Sequence, residues 1–185
     1  MRKNFGSKPM MYPMPVLIIA TYDSQGHANA MNAAWGGISE ENEISICIDS
    51  GHKTAQNLQE TGAFTVSMAT AEYVAACDYV GIVSGNKEPN KLEKAGLHTT
   101  KSQFVNAPVI EELPMALECR VKSYDTQSCR LVGEIVNVCA DEKILTDGKI
   151  DPKKLRPISY DPVGHTYLVL GEPVGRAFHD GTKLK

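Results

Sequence analysis

Only five cysteines and one tryptophan occur among 185 residues, and no long apolar run is present. The cysteines (Cys47, Cys77, Cys119, Cys129 and Cys139) are odd in number and widely spaced. That pattern is not a disulfide framework, and without a Cys-x-x-Cys pair it offers neither a zinc site nor a thioredoxin-like dithiol. The thiols are expected to be free and to act as small core hydrophobes. No group of metal ligands stands out, so no metal is expected. The longest apolar run, Val16–Ala20, is far shorter than the ~20 residues that span a bilayer, and no apolar segment follows the charged Arg2 and Lys3. A soluble, cytoplasmic chain with no membrane partner is therefore expected.

An excess of positive charge is also missing. Nineteen Lys and Arg oppose 22 Asp and Glu, for a net charge of −3, which leaves nothing to drive nonspecific nucleic-acid binding. The one basic cluster, Lys149–Arg156, is interrupted by Asp151 and Pro152 and reads as a solvated loop. GxGxxG and GxxxxGK[ST] phosphate loops are absent, as are GxSxG and HExxH. A nucleotide must be held some other way, and serine-hydrolase and zincin chemistry are unsupported.

What is present is a succession of short strands. Val16–Tyr22 is rich in β-branched residues, Asp23-Ser24-Gln25-Gly26 carries turn chemistry, and His27–Ala34 follows as a second strand. Glu43–Asp49 alternates Ile44, Ile46 and Ile48 with Ser45 and Cys47, the period of a strand. Lys53–Thr61 reads as a helix with Thr54 as N-cap and Gly62 as its stop. Phe64–Met68 returns to strand; Ala71–Tyr79 and Asn90–Ala95 are expected to be short helices. Met115–Tyr124 and Cys129–Ala140 flank Asp125–Ser128 as a long hairpin, whose second arm, Leu131–Val138, is apolar at consecutive positions and is expected to be buried on both faces. Tyr167–Leu170 closes the list. Many strands at hairpin spacing and few short helices point to one mainly β domain, residues 1–185, built as a barrel rather than a doubly wound sheet.

Two constellations carry chemistry. In Ser50-Gly51-His52-Lys53-Thr54 a strand feeds a helix start, where free N–H groups favour an anion and Lys53 adds a charge. The same residues also suit an ordinary helix cap beside an exposed lysine. In Asn29-Ala30-Met31-Asn32-Ala33-Ala34-Trp35, small residues alternate with amides and end in the tryptophan. That suits a flat heteroaromatic ligand needing close backbone, edge hydrogen bonds and an apolar face; it suits a β-bulge with a core Trp as well. Met10, Met11 and Tyr12 are expected to pack on the barrel. His27, His98 and His179 are expected at the surface.

Read in order, the chain resembles the flavin reductase-like FMN-binding split-barrel family, with flavoredoxins the nearest branch. The matching pieces are Pro13-Met14-Pro15-Val16, Thr21-x-Asp23-x-x-Gly26-x-x-Asn29, Trp35, and His52-Lys53-Thr54-x-x-Asn57-Leu58-x-x-Thr61-Gly62-x-Phe64. They continue with Gly81-x-x-Ser84-Gly85, Asn90-Lys91-Leu92, Ala107-Pro108-x-Ile110, Leu117-Glu118-Cys119, Val132-Gly133-Glu134, Gly164-His165-Thr166-Tyr167 and Leu170-Gly171. The resemblance implies a Greek-key split β-barrel with a few short peripheral helices, a homodimer, and one FMN per subunit near the dimer interface.

It also implies residue roles. Asn29, Ala30, Met31, Asn32 and Ala33 would line the isoalloxazine edge and Trp35 would pack beside it. Ser50, His52, Lys53, Thr54 and Asn57 would hold the phosphate and ribityl chain, with Lys91 reaching the phosphate or the flavin. His165 is the candidate proton donor or lid residue. The implied function is electron transfer through bound FMN, with a redox protein as donor. The alternatives are an NAD(P)H:flavin oxidoreductase, using NADH or NADPH as transient donor, and a non-catalytic flavin- or haem-binding module. Reductase components of the family often end in a His-Arg-Tyr-like run; here it is His165-Thr166-Tyr167, without the arginine.

Overall fold

The computed structural model describes residues 1–185. Met14–Pro15 (β1) leads into Leu17–Tyr22 (β2), which a turn returns as Ala28–Ala33 (β3). In that turn the Asp23 carboxylate accepts the Gln25 and His27 N–H groups at 2.9 and 2.8 Å, and Gly26 takes a φ of 85°. Gly36–Glu40 (β4) and Glu43–Cys47 (β5) follow, then helix Lys53–Thr61 (α1) and Ala63–Met68 (β6). Helices Val74–Ile82 (α2) and Lys91–Lys94 (α3) come next, then Thr99–Lys101 (β7) and Pro108–Ile110 (β8). The long hairpin Met115–Asp125 (β9) and Arg130–Ala140 (β10) precedes Leu145–Thr146 (β11), Lys149–Ile150 (β12), Pro152–Leu155 (α4), Ile158–Asp161 (β13) and Thr166–Val169 (β14).

The main sheet is antiparallel, in the order β3-β2-β6-β9-β10-β5-β4. Its two edge strands, β3 and β4, are consecutive in sequence and joined only by Ala34 and Trp35. A link that short cannot cross a flat seven-stranded sheet, about 29 Å wide at ~4.8 Å per strand. The sheet therefore curls until its edges approach, leaving a seam rather than a closed ladder. This is the split barrel expected from the sequence.

Two apolar cores lie on the two faces of the curled sheet. Leu17 and Ile19 of β2 enter a core with Ile44, Ile46, Leu58, Phe64, Val66 and Leu131. Ile18 and Ala20, on the alternate face, enter a second with Ala30, Val80, Leu92 and Ile110. Helix α1 contributes Ala55 and Leu58 to the first core; α2 and α3 cover the second. The unbroken apolar run of β2 thus reflects burial on both faces.

That reasoning fails for β10, where only Leu131 and Gly133 are buried and Val138 is 44 % exposed. Gly133 lacks a side chain for steric cause: a Cβ there would collide with Cζ of Phe64 and lie 2.8 Å from its Cε1. Beyond Gly133 the strand is only partly covered: Ile135 packs against the first core and Val136 against a small cluster with Ala63, Val105 and Ala107.

Other expectations shift. The second helix begins at Val74, not Ala71, because Ala71 N–H is bonded to Arg156 O at 3.0 Å and Thr70 pairs with Pro157, tying that segment to the approach of β13. Sequence reading missed β4, β13 and the short β1, β7, β8, β11 and β12, most of them only two to four residues long. Lys149–Arg156 holds α4, with Asp151 accepting the Lys153 N–H at 2.9 Å and Pro152 at its start, rather than a plain loop. Met10, Met11 and Tyr12 do not pack on the barrel: they are 43, 63 and 54 % exposed, and the Tyr12 hydroxyl donates to Asp161. Of the cysteines only Cys77 and Cys119 are buried, with burial pushing their thiols up to about 11 and about 12. All five are free; Cys47 is exposed and Cys129 half-buried.

Candidate functional site

The site gathers where β3 passes the N-terminus of α1. His52 is the N-cap, extended at φ −75°, ψ 146°, and no side chain bonds the first-turn N–H groups. Those groups have no intrahelical acceptor, so the positive end of α1 stays open to an anion. Thr54 is not the cap. It lies one position inside the helix, 1 % exposed, and its hydroxyl oxygen accepts from Asn29 Nδ2 at 2.8 Å. Asn57 is fully buried one turn further on and donates through Nδ2 to Thr21 Oγ1 at 3.0 Å, while its Oδ1 has no partner. These two bonds clamp α1 onto β2 and β3 and fix the direction in which its N-terminus points.

Two clefts flank this junction. The first, about 590 Å³, is bounded by Asn29, His27, Asp23, Lys53, Gly85 and Asn90. Gly85 lets this wall form, since a Cβ there would overlap Asn29 Oδ1 and sit 3.2 Å from Cβ of Lys53. Burial pushes the Asp23 carboxyl up, but the N–H groups of His27 and Gln25 and the His27 ring outweigh it and hold Asp23 below the ordinary carboxylate range. The second cleft, about 560 Å³, is lined by Met31, Asn32, Ala33, Trp35, His52, Asp49, Cys47 and Cys129 among others. The N-cap His52 and the first helical residue Lys53 border different clefts, as do Asn29 and Met31, which lie at different points along β3. The two clefts share no lining residue: one is charged and the other bears the tryptophan, which is 59 % exposed, and together they form the candidate groove on the two sides of the α1 N-terminus.

The predicted residues divide accordingly. Asn29, Met31, Asn32, Ala33, Trp35, His52 and Lys53 border the groove. Ala30 points its methyl into the second core and offers only backbone. Ser50 is exposed and borders neither cleft. Thr54 and Asn57 act behind the wall. Lys91 does not reach the groove: it is 3 % exposed, and its Nζ donates to Val80 O and Val83 O, both at 2.9 Å, at the end of α2. Burial pushes this ammonium down to about 8. His165, at φ 53° in the β13–β14 turn, meets the Tyr160 hydroxyl at 2.7 Å through Nδ1 and borders neither cleft.

Sequence reasoning gave no role to Gly85, Cys47, Cys129 or the support under Asn32. Gly81 admits Asn32, whose Cβ would be 2.9 Å from an added methyl, and next to it Tyr167 OH donates to Asp78 at 2.6 Å. Burial, then Asp78, pushes Tyr167 up to about 12. Gly81-x-x-Ser84-Gly85 was the one available signal for this wall.

Set against known proteins, the chain is similar in structure to the flavoredoxin of Desulfovibrio vulgaris (Miyazaki F), at TM-score 0.93 and 35 % identity over 98 % of this chain and 100 % of that one. The flavoredoxin of Methanosarcina acetivorans superposes at TM-score 0.87 with 28 % identity, covering 100 % of this chain and 98 % of the other. An FMN-binding domain of a flavin reductases-like enzyme from Shewanella baltica shares the fold, at TM-score 0.78 and 21 % identity over 88 % of each chain. The sequence profile described as "Flavin reductase like domain" matches residues 10–155. The chain belongs to the flavin reductase-like family.

Proposed function

We propose that the groove holds FMN and that the protein passes electrons through it in the manner of a flavoredoxin. The observation carrying this reading is the open N-terminus of α1, with Lys53 and the Gly85–Asn29 wall on one side and the Trp35 cleft on the other. The residues fit the group: first-turn N–H groups and the Lys53 ammonium suit a phosphate, and Gly85 leaves the space that a side chain would fill. Bound flavin supplies the redox chemistry itself. Lys53 neutralises the anionic end. Asn29 is held by Thr54 and borders the polar cleft; Asn32 and the β3 backbone present amides to the ring edge, and Trp35 supplies an apolar wall. The Desulfovibrio and Methanosarcina neighbours are flavoredoxins and the Shewanella baltica domain is called FMN-binding, which supports the same cofactor here.

A redox protein is the proposed donor. His165-Thr166-Tyr167 lacks the arginine of the reductase components, and His165 lies off the groove, so direct NADH or NADPH oxidation is the weaker reading. The exposed Trp35 and Ile38, at 59 and 65 % beside the seam, support a homodimer that covers them. No helix is long and apolar enough to cross a membrane. Five free thiols suit a reducing compartment such as the cytoplasm.

Lys53→Ala and Thr54→Ala are each expected to weaken FMN binding. Lys53 loses a charge-assisted contact worth roughly 1.5–3 kcal/mol. Thr54 loses the bond that orients Asn29. Fluorescence titration that returns wild-type affinity for both variants rules out the phosphate assignment.

A further inference from the structure

Two of the five free cysteines, Cys47 and Cys129, border the same cleft, the one that also presents Met31, Ala33 and Trp35. Their placement follows from strand register. Cys47 ends β5 opposite Arg130, the first residue of β10, and Ile48 N–H donates to Cys129 O at 2.8 Å, so the two cysteines are diagonal neighbours across one antiparallel pair. Strand spacing of ~4.5–5.5 Å and a step of ~3.8 Å along the chain put their Cα atoms about 6 Å apart. That lies inside the ~4.4–6.8 Å Cα range of disulfides, and the Cβ convergence a bridge also needs is supported by both residues lining one cleft. Cys129 precedes β10 in the β9–β10 turn at φ 57°, a left-handed conformation uncommon for a residue with a Cβ, and it lines the cleft together with Cys47. Its thiol contacts Thr126 O within the turn at 3.9 Å. Cys47 is exposed. The remaining thiols do not line this cleft: Cys77 and Cys119 are packed in the cores, and Cys139 contacts Ala116 O at 3.7 Å.

We propose that Cys47 and Cys129 form a reversible dithiol–disulfide couple that exchanges two electrons with flavin held in the same cleft, an inference that rests on the flavin reading above. In the oxidising direction both S–H bonds break, one S–S bond forms, and the two electrons and two protons pass to the oxidised flavin. In the reverse direction reduced flavin returns them and the S–S bond is cleaved. No other oxidant is required, and the protein then stores twice the charge of a flavin alone.

The test begins with the FMN-containing protein, oxidised with diamide, alkylated and mapped without reduction. The expected result is a peptide joining Cys47 to Cys129, with loss of two hydrogens, while Cys77, Cys119 and Cys139 are recovered alkylated after unfolding. An anaerobic dithionite titration of the oxidised protein then reads the coupling. The wild type is expected to consume twice the electrons per flavin of Cys47→Ser or Cys129→Ser, and the linked peptide disappears as the flavin is reduced. Both thiols remaining alkylatable after diamide overturns the couple. A linked peptide that survives full reduction of the flavin overturns the electron exchange. Failure of the flavin reading is seen separately, as absence of flavin from the starting protein, because the mapping step needs no flavin.

Discussion

Replacing Gly85 by alanine tests the polar wall of the groove without removing any polar group. The added methyl would overlap Asn29 Oδ1, stand 3.1 Å from its Cγ and 3.2 Å from Lys53 Cβ. Either Asn29 swings away from Thr54, breaking its 2.8 Å bond, or the segment carrying Gly85 retreats from the cleft. The first course costs about 0.5–1.5 kcal/mol in a neutral hydrogen bond, and displacement of Lys53 from an anion adds part of a charge-assisted contact worth about 1.5–3 kcal/mol. A combined loss of about 2 kcal/mol corresponds to roughly 30-fold weaker FMN binding. The assay is quenching of FMN fluorescence by apo-protein, with urea unfolding run in parallel. Gly62→Ala is the control: nothing lies within 4 Å of its Cβ, but its φ of 65° strains alanine, so it is expected to lose about 1 kcal/mol of stability and keep its affinity. A folded Gly85→Ala variant that binds FMN within about twofold of wild type refutes the claim that this wall borders the ligand.

Gly133→Ala drives a methyl into the Phe64 ring at the centre of the first core. It is expected to cost about 1–3 kcal/mol of stability by overpacking, read as a lower urea midpoint, with the spectrum of any bound flavin little changed. Lys91 gives a pH signature. Its folded pKa, about 8, lies below the ~10.4 of an unfolded lysine, so the cost of burying its charge is fully present below pH 8 and is relieved as pH rises from 8 towards ~10.4. The stability of wild type relative to Lys91→Met is therefore expected to rise between about pH 8 and about pH 10, measured by urea unfolding at each pH; a flat difference contradicts the assignment. Because Lys91 is bonded to Val80 O and Val83 O, the same variant is expected to affect stability more than FMN affinity.

Much of the fold was legible because its signals are local. The β-branched run of β2, the Ile alternation of β5 and the Gly62 stop of α1 each followed from rules acting over a few residues. What sequence reading could not give was which faces would be covered. The apolar stretch of β10 resembles that of β2, yet only β2 lies between two cores, a matter of strand order rather than composition. The site followed the same division. The β3 segment and His52–Lys53 are contiguous in sequence and were found as such. The partners that orient them, Thr21 behind Asn57 and Gly85 against Asn29, lie 36 and 56 residues away and become visible only when the sheet curls. Lys91 was misread because an Asn-Lys-Leu motif says nothing of the α2 carbonyls that capture its ammonium. Cys47 and Cys129 were read as separate core residues, though register makes them neighbours at the groove.

The most direct test of the central claim is the chromophore of the purified protein. Its visible spectrum is recorded, the chromophore is released by denaturation and identified by chromatography, and the apo-protein is titrated with FMN. The account predicts FMN, bound once per chain, with Lys53→Ala weakening the titration. A colourless protein that leaves the fluorescence of added FMN unchanged contradicts it.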